Sequence, residues 1–148
     1  MALLGRIIVI LFALFMATMA GGIAAAIALL GAELQMLGPD PAEHMFFWAT
    51  AAFASGVTIV VGFLPILIAV VLAEAFSIRS LLIQVLAGAT ILLLGYYSVG
   101  FTATYEESID HPPPPISREA EIAAAIGVVF GFTYWLIAGR NAGRWRDR

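Results

Sequence analysis

Four long apolar stretches alternate with short polar segments along the chain. A helix needs about 20 apolar residues to cross the hydrocarbon core of a bilayer. We place the predicted spans at about residues 7–30, 45–73, 81–101 and 122–138, each of which comes close to or exceeds this length. The pattern predicts an all-α, polytopic membrane protein, a bundle of four transmembrane helices that forms one membrane domain over residues 1–148.

The first stretch shares some features with a cleavable signal peptide. Arg6 precedes an apolar run, and Thr18, Met19 and Ala20 form a weak cleavage-site pattern. The run nevertheless continues to Leu30, which is too long for the hydrophobic region of a signal peptide. We therefore expect this stretch to be retained as the first membrane span.

The composition excludes a soluble fold. Hydrophobic residues make up 62% of the 148-residue chain and charged residues only 11%, and the mean hydropathy is +1.01. Soluble domains carry about 25% charged residues, so this chain cannot cover a water-facing surface of its size. Cysteine is absent, which excludes disulfides, thiol catalysis and cysteine-ligated metals.

The charged residues separate into two groups along the chain. The two termini and the segment between the second and third spans carry six of the seven arginines, whereas the other connecting segments carry eight of the ten carboxylates. Basic residues in short loops stay on the cytoplasmic side, so we predict cytoplasmic N- and C-termini.

Lysine is absent and alanine abundant, a bias that favours a bacterial genome and hence a multi-pass protein of the inner (cell) membrane.

The connecting segments differ in character. Residues 74–80 predict a tight hairpin between the second and third spans. An external proline-rich loop is predicted over about 102–121, and its four consecutive prolines favour a polyproline II rod. Ser117, followed by Glu119 and Glu121, predicts an N-cap and an acidic first turn for the fourth helix.

Small residues recur at helical spacing in every span, and such stripes let helix backbones approach closely in lipid. They either pack the helices of one chain together or dock a second subunit. For the second role we favour the first and fourth spans, whose stripes are the longest. The predicted helix-packing positions are Ala17, Gly21 and Ala25 in the first span, Ala52 and Gly56 in the second, Gly88 and Gly95 in the third, and Ala123, Gly127 and Gly131 in the fourth.

Two further residues within the spans stand out. Pro65 removes a backbone hydrogen bond inside the second span and predicts a kink near Val61. Gln84 has the largest uncharged polar group in the third span, and it either cross-links helices or contacts a substrate. The serine and threonine side chains of the spans are expected to bond to the carbonyl four residues earlier.

The spans hold no candidate catalytic, cofactor-binding or metal-binding residue. None of them contains Asp, Glu, Lys, Arg or His, and ionisable residues within a membrane are usually functional. We therefore expect no enzyme activity and no cofactor. His44 and His111, with Glu106 and Glu107, leave open a divalent metal site in the external loops, although their spacing matches no ligand motif.

The C-terminal segment 139–148 is a basic tail. Each basic residue near an anionic surface contributes about 1 kcal/mol of attraction to the membrane. We predict a cytoplasmic basic anchor, with docking of a cytoplasmic partner as the alternative; the patch is too short to indicate nucleic-acid binding. The anchor residues are Arg140, Arg144, Trp145, Arg146 and Arg148.

These features favour a non-catalytic accessory or scaffold subunit of a larger membrane complex, with the lipid bilayer and other membrane subunits as partners. The alternative is a small transporter or channel component. The small four-helix subunits of tripartite carboxylate transporters have comparable size and topology, a likeness of fold alone without a shared motif. A third hypothesis is an envelope enzyme or metal-binding protein that uses His44 and His111. The sequence implies no small-molecule substrate.

Overall fold

The computed structural model describes residues 2–34, 41–98 and 117–144. Over these ranges it forms four α-helices and one short 3-10 helix. Most of the predicted proline-rich loop and the last four residues of the tail lie outside the described residues. The helices are α1 (Ala2–Leu34), α2 (Pro41–Ala75), α3 (Leu81–Ser98) and α4 (Arg118–Ile137), followed by the 3-10 turn Gly139–Asn141.

All four α-helices are long and apolar enough to cross a membrane. The most apolar 18-residue windows in α1 and α2 have mean hydropathies of 2.5 and 2.7, and those in α3 and α4 have a mean hydropathy of 1.7. This confirms the prediction of an all-helical chain with four long apolar helices, and it indicates a multi-pass membrane protein.

Helix α4 begins where the sequence predicts an N-cap. The backbone of Ser117 is extended, and its side chain accepts a hydrogen bond from the amide of Ala120 over 3.1 Å. Glu119 and Glu121 lie in the first turn, where carboxylates interact favourably with the positive end of the helix dipole. The N-cap prediction is confirmed, and α4 starts four residues before the predicted apolar span.

The packing is uneven among the helices. Helix α1 packs on both α2 and α4, and α3 packs mainly on α4, whereas α2 and α3 contact each other over a smaller surface. The buried cluster at the centre consists largely of small and aromatic residues, which lets the backbones approach closely. Its members are Ala13, Ala17, Ile66, Phe130, Tyr134 and Ala138.

Large apolar side chains cover the outside of the helices. Leu4, Phe53 and Val60 are 69%, 75% and 82% exposed. In water such a surface would drive aggregation, but in a bilayer the lipid tails are as apolar as leucine and solvate it. The distribution of exposed residues therefore fits a chain whose four helices are surrounded by lipid.

Helix α2 continues without interruption through Pro65, which lies on its exposed side. The proline has no N–H to donate to the carbonyl of Val61. The bend near Val61 stays a prediction.

Candidate functional site

An ion pair between Arg6 and Glu74 joins the beginning of α1 to the end of α2. Nε of Arg6 donates to Oε1 of Glu74 over 3.0 Å, and a terminal nitrogen of the same guanidinium also donates to this oxygen. The two side chains are only 11% and 12% exposed. The ion pair is thus largely shielded from solvent. Hydrogen bonds between charged groups are stronger at such a shielded site than at an open surface.

The same two side chains hold the segment that follows α4. The guanidinium of Arg6 donates to the carbonyl oxygen of Ala138 over 2.9 Å, and Oε2 of Glu74 accepts from the amide of Gly143 over 3.0 Å. Gly143 has a φ of 74°, which glycine adopts without steric cost. We name the group Arg6, Glu74, Ala138 and Gly143 the polar junction.

Arg79 attaches the α2–α3 hairpin to α4 and to the segment that follows it. Its Nε donates to the carbonyl oxygen of Ala142 over 2.9 Å, and its own carbonyl accepts from the indole nitrogen of Trp135 over 2.8 Å. These bonds bring the starts of α1 and α3 and the ends of α2 and α4 to one end of the molecule.

The chemistry of the polar junction is that of a structural connection. Both carboxylate oxygens of Glu74 accept hydrogen bonds, one from a guanidinium and the other from a backbone amide. The carbonyl of Ala138, the C-cap residue of α4, accepts from the amide of Asn141 in the 3-10 turn over 3.1 Å as well as from the guanidinium of Arg6. In the sequence, Arg6 directly precedes the first predicted span and Glu74 directly follows the second. Their opposite charges at two span ends were the one signal that could have paired them.

Part of the predicted basic anchor lies beside the polar junction. Arg140 and Arg144 are exposed, and Arg144 donates to the side-chain oxygen of Asn141 over 3.0 Å. Trp145, Arg146 and Arg148 lie outside the described residues. The two described arginines therefore face solvent at the end of the molecule that holds Arg6 and Arg79.

The glycines of α3 and α4 lie at the closest approach of these two helices. An ideal Cβ on Gly127 would lie 2.6 Å from Cα of Ala89, and one on Gly131 would lie 2.9 Å from Cα of Val85. A Cβ on Gly88 would meet the backbone of Gly131 at 3.1 Å. Only glycine allows this spacing, because each clash is with backbone and no side chain can move aside.

The small residues of α1 are also covered within the chain. Ala17 and Ala25 are buried, and a Cβ on Gly21 would contact the side chain of Ile126 at 3.4 Å. Next to them, the hydroxyl of Ser55 donates to the carbonyl of Thr18 over 3.2 Å and so links α2 to α1. Neighbouring helices of the same chain thus cover most of these small residues, and docking of a second subunit on α1 or α4 stays a prediction.

The predicted packing positions of α2 lie elsewhere. Ala52 and Gly56 are exposed, and among the described residues no neighbouring heavy atom lies within 4 Å of a Cβ placed on Gly56. The α2 residues that turn inward are the adjacent Ala51 and Ser55. The small-residue stripe of α2 is therefore open to the surroundings.

The remaining two packing positions lie beside an apolar cleft. A Cβ on Gly95 of α3 would come within 2.8 Å of Val61 of α2, and Ala123 of α4 is half-buried. Both residues line a cavity of about 260 Å³ between α2 and α3 that reaches inward to α1 and α4. The cleft thus lies beside the contact between α2 and α3 at Val61 and Gly95.

Most polar side chains of the spans make the local bonds expected from sequence. Thr50, Thr58 and Thr133 each donate to the carbonyl four residues earlier, over 2.8–2.9 Å. Gln84 donates to the carbonyl of Ile78 over 3.3 Å, just before α3 begins. This bond is local to the hairpin, so it does not cross-link helices. The hydroxyl of Tyr134 is buried without a hydrogen-bond partner among the described residues.

The external metal site finds no support in the described part of the chain. His44 lies exposed near the start of α2, and His111 lies outside the described residues with Glu106 and Glu107. No group of three His, Cys, Asp or Glu residues with the proximity for metal binding occurs within residues 2–34, 41–98 and 117–144.

Comparisons of the chain with known protein families, curated proteins and solved structures found no match.

Proposed function

We propose that this chain is a non-catalytic accessory or scaffold subunit of a larger membrane complex, placed in the inner membrane of a bacterium with both termini in the cytoplasm. The orientation is supported by the polar junction and the exposed Arg79, Arg140 and Arg144, which lie at the same end of the molecule. Basic residues of short loops remain on the cytoplasmic side.

The observation that carries the accessory role is the open small-residue stripe on α2. The glycines at the α3–α4 contact already pack against backbone of this chain, whereas no helix within residues 2–34, 41–98 and 117–144 covers Gly56 and Ala52. Two small residues four positions apart on an exposed face let a second transmembrane helix approach closely. We infer that a helix of a partner subunit packs along Ala52 and Gly56.

The test is purification of the chain from its native membranes in mild detergent, followed by mass spectrometry of the co-purified proteins. Gly56→Leu should remove the partner, because its side chain blocks the close approach, while the chain itself stays folded. The matched control is Leu94→Val on exposed α3, which should retain the partner. A chain that purifies alone, or a partner that both variants retain equally, would contradict the proposal.

The alternative proposal is a small transporter or channel component. Its support is the cleft between α2 and α3, which includes Thr58 among its lining residues. Gln84, which sequence analysis offered as a contact for a substrate, lines a different and much smaller cavity of about 20 Å³ together with Tyr134. Loss of solute transport on deletion, with transport restored by the Gly56→Leu variant, would favour this alternative.

A further inference from the structure

We propose that the cleft between α2 and α3 binds one acyl chain of a membrane lipid. The inference rests on the placement of the helices in a membrane and does not depend on the accessory role. The residues that define the cleft in this argument are Ala54, Val61, Leu92, Gly95, Ala123 and Ile126.

The shape of the cleft follows from small residues on facing helices. Ala54 on α2 and Ala123 on α4 leave the space that longer side chains would fill. Gly95 lets α3 approach Val61, where an ideal Cβ would come within 2.8 Å. The neighbouring Phe53 is 75% exposed, so the cleft is open at the lipid-facing side of α2.

The described lining residues offer hydrocarbon contacts and no free hydrogen-bond donor at the centre of the cleft. Thr58 has the one hydroxyl on the α2 wall, and it donates to the carbonyl of Ala54 over 2.9 Å. Tyr96 lies at the other wall, with its hydroxyl 3.4 Å from that of Ser117 at the start of α4. A ligand that lies along this surface therefore needs an apolar body, and its polar end fits best near Tyr96.

The volume of the cleft, about 260 Å³, is large enough for part of a hydrocarbon chain. An apolar cavity of roughly 150 Å³ already binds benzene, so the cleft has room for several methylene groups. The hydrocarbon around a membrane-spanning chain consists of lipid tails, which makes an acyl chain the fitting occupant.

The experiment uses the full chain reconstituted alone in vesicles of phosphatidylethanolamine and phosphatidylglycerol that contain a phospholipid with a diazirine in one acyl chain. After illumination, mass spectrometry locates the labelled peptides. We expect labelling concentrated on residues 54–61 and 92–96, and retained after the bulk lipid has been exchanged for detergent in the dark before illumination. Labelling spread over all exposed helix faces in proportion to their exposure would overturn the proposal.

Variants distinguish lipid binding in the cleft from labelling of the general lipid-facing surface. Ala54→Phe should reduce labelling of residues 92–96 by about tenfold, since its ring occupies the same volume. Ala123→Leu fills the cleft from another helix and should act in the same direction, which covers the case in which Ala54→Phe does not fold. Val60→Phe, at a position 82% exposed and outside the lining, should leave labelling unchanged.

Two further results would reject the proposal that an acyl chain occupies the cleft. Unchanged labelling in both filled variants, with helical content and elution volume preserved, would show that the lipid does not enter the cleft. In native membranes, a protein cross-link at residues 92–96 in place of the lipid label would show that a partner occupies it. If the proposed accessory role is wrong, lipid labelling of the reconstituted chain should still occur, because that measurement needs no partner protein.

Discussion

Arg6 and Glu74 lie 68 positions apart in sequence, yet Nε of Arg6 donates to Oε1 of Glu74 over 3.0 Å. Each of them also binds the segment after α4, through the carbonyl of Ala138 and the amide of Gly143. Two side chains therefore connect the first helix, the second helix and the C-terminal segment. The junction explains how short terminal segments are held without disulfides or a large core.

The first prediction concerns the energy of this ion pair. We expect Arg6→Gln and Glu74→Gln each to lower the free energy of unfolding, with a coupling of about 1–2 kcal/mol in a double-mutant cycle, since the pair is charged but not fully buried. Denaturant unfolding in detergent micelles measures the free energies from which this coupling is calculated. Effects of the two substitutions that add to within about 0.3 kcal/mol would show that the side chains do not interact.

The second prediction concerns the contact between α3 and α4. Gly131→Ala places a Cβ 2.9 Å from Cα of Val85, so the two helices must separate, and we expect a loss of about 2 kcal/mol. Gly56→Ala is the matched control, because its Cβ meets open space and alanine has the higher helix propensity. Thermal unfolding in detergent compares the two variants. Equal stability of both would contradict the close packing at Gly131.

The third prediction concerns the start of α4. Ser117→Ala removes the acceptor for the amide of Ala120, and we expect a loss of about 1 kcal/mol with fraying of the first turn. Ser98→Ala serves as the control, because among the described residues its hydroxyl bonds only to the carbonyl of Leu94 in the same helix. Amide hydrogen exchange of residues 118–121 reports the fraying. Unaltered exchange in the Ser117 variant would contradict the capping role.

The sequence was sufficient to predict the four helices and the cap at Ser117, because both depend on local composition. It was not sufficient to predict which face each helix buries. Lipid-facing residues are as apolar as buried ones, so hydrophobic periodicity does not distinguish Ala51 and Ser55 from the adjacent Ala52 and Gly56. The glycines of α4 were recognisable because size, rather than polarity, marks a close helix contact.

The polar junction was beyond sequence reasoning for a related reason. Arg6 could have paired with any carboxylate at the same end of the molecule. The choice of Glu74 depends on which helices are neighbours and on how each is rotated about its axis. The bond from the amide of Gly143 also depends on the turn that follows α4. Gly143 has a positive φ in this turn, which a glycine permits but does not require.

Cysteine labelling in oriented membrane vesicles decides whether the junction end is cytoplasmic and the helices cross the bilayer. The parent chain has no cysteine and gives no background, so Ser80→Cys, Arg140→Cys and Glu119→Cys can each be probed with an impermeant maleimide. We predict that Glu119→Cys reacts in right-side-out vesicles, and that Ser80→Cys and Arg140→Cys react only in inside-out vesicles. Reaction of Ser80→Cys and Arg140→Cys from opposite sides, or of Glu119→Cys from the same side as both, would contradict four spans with cytoplasmic termini.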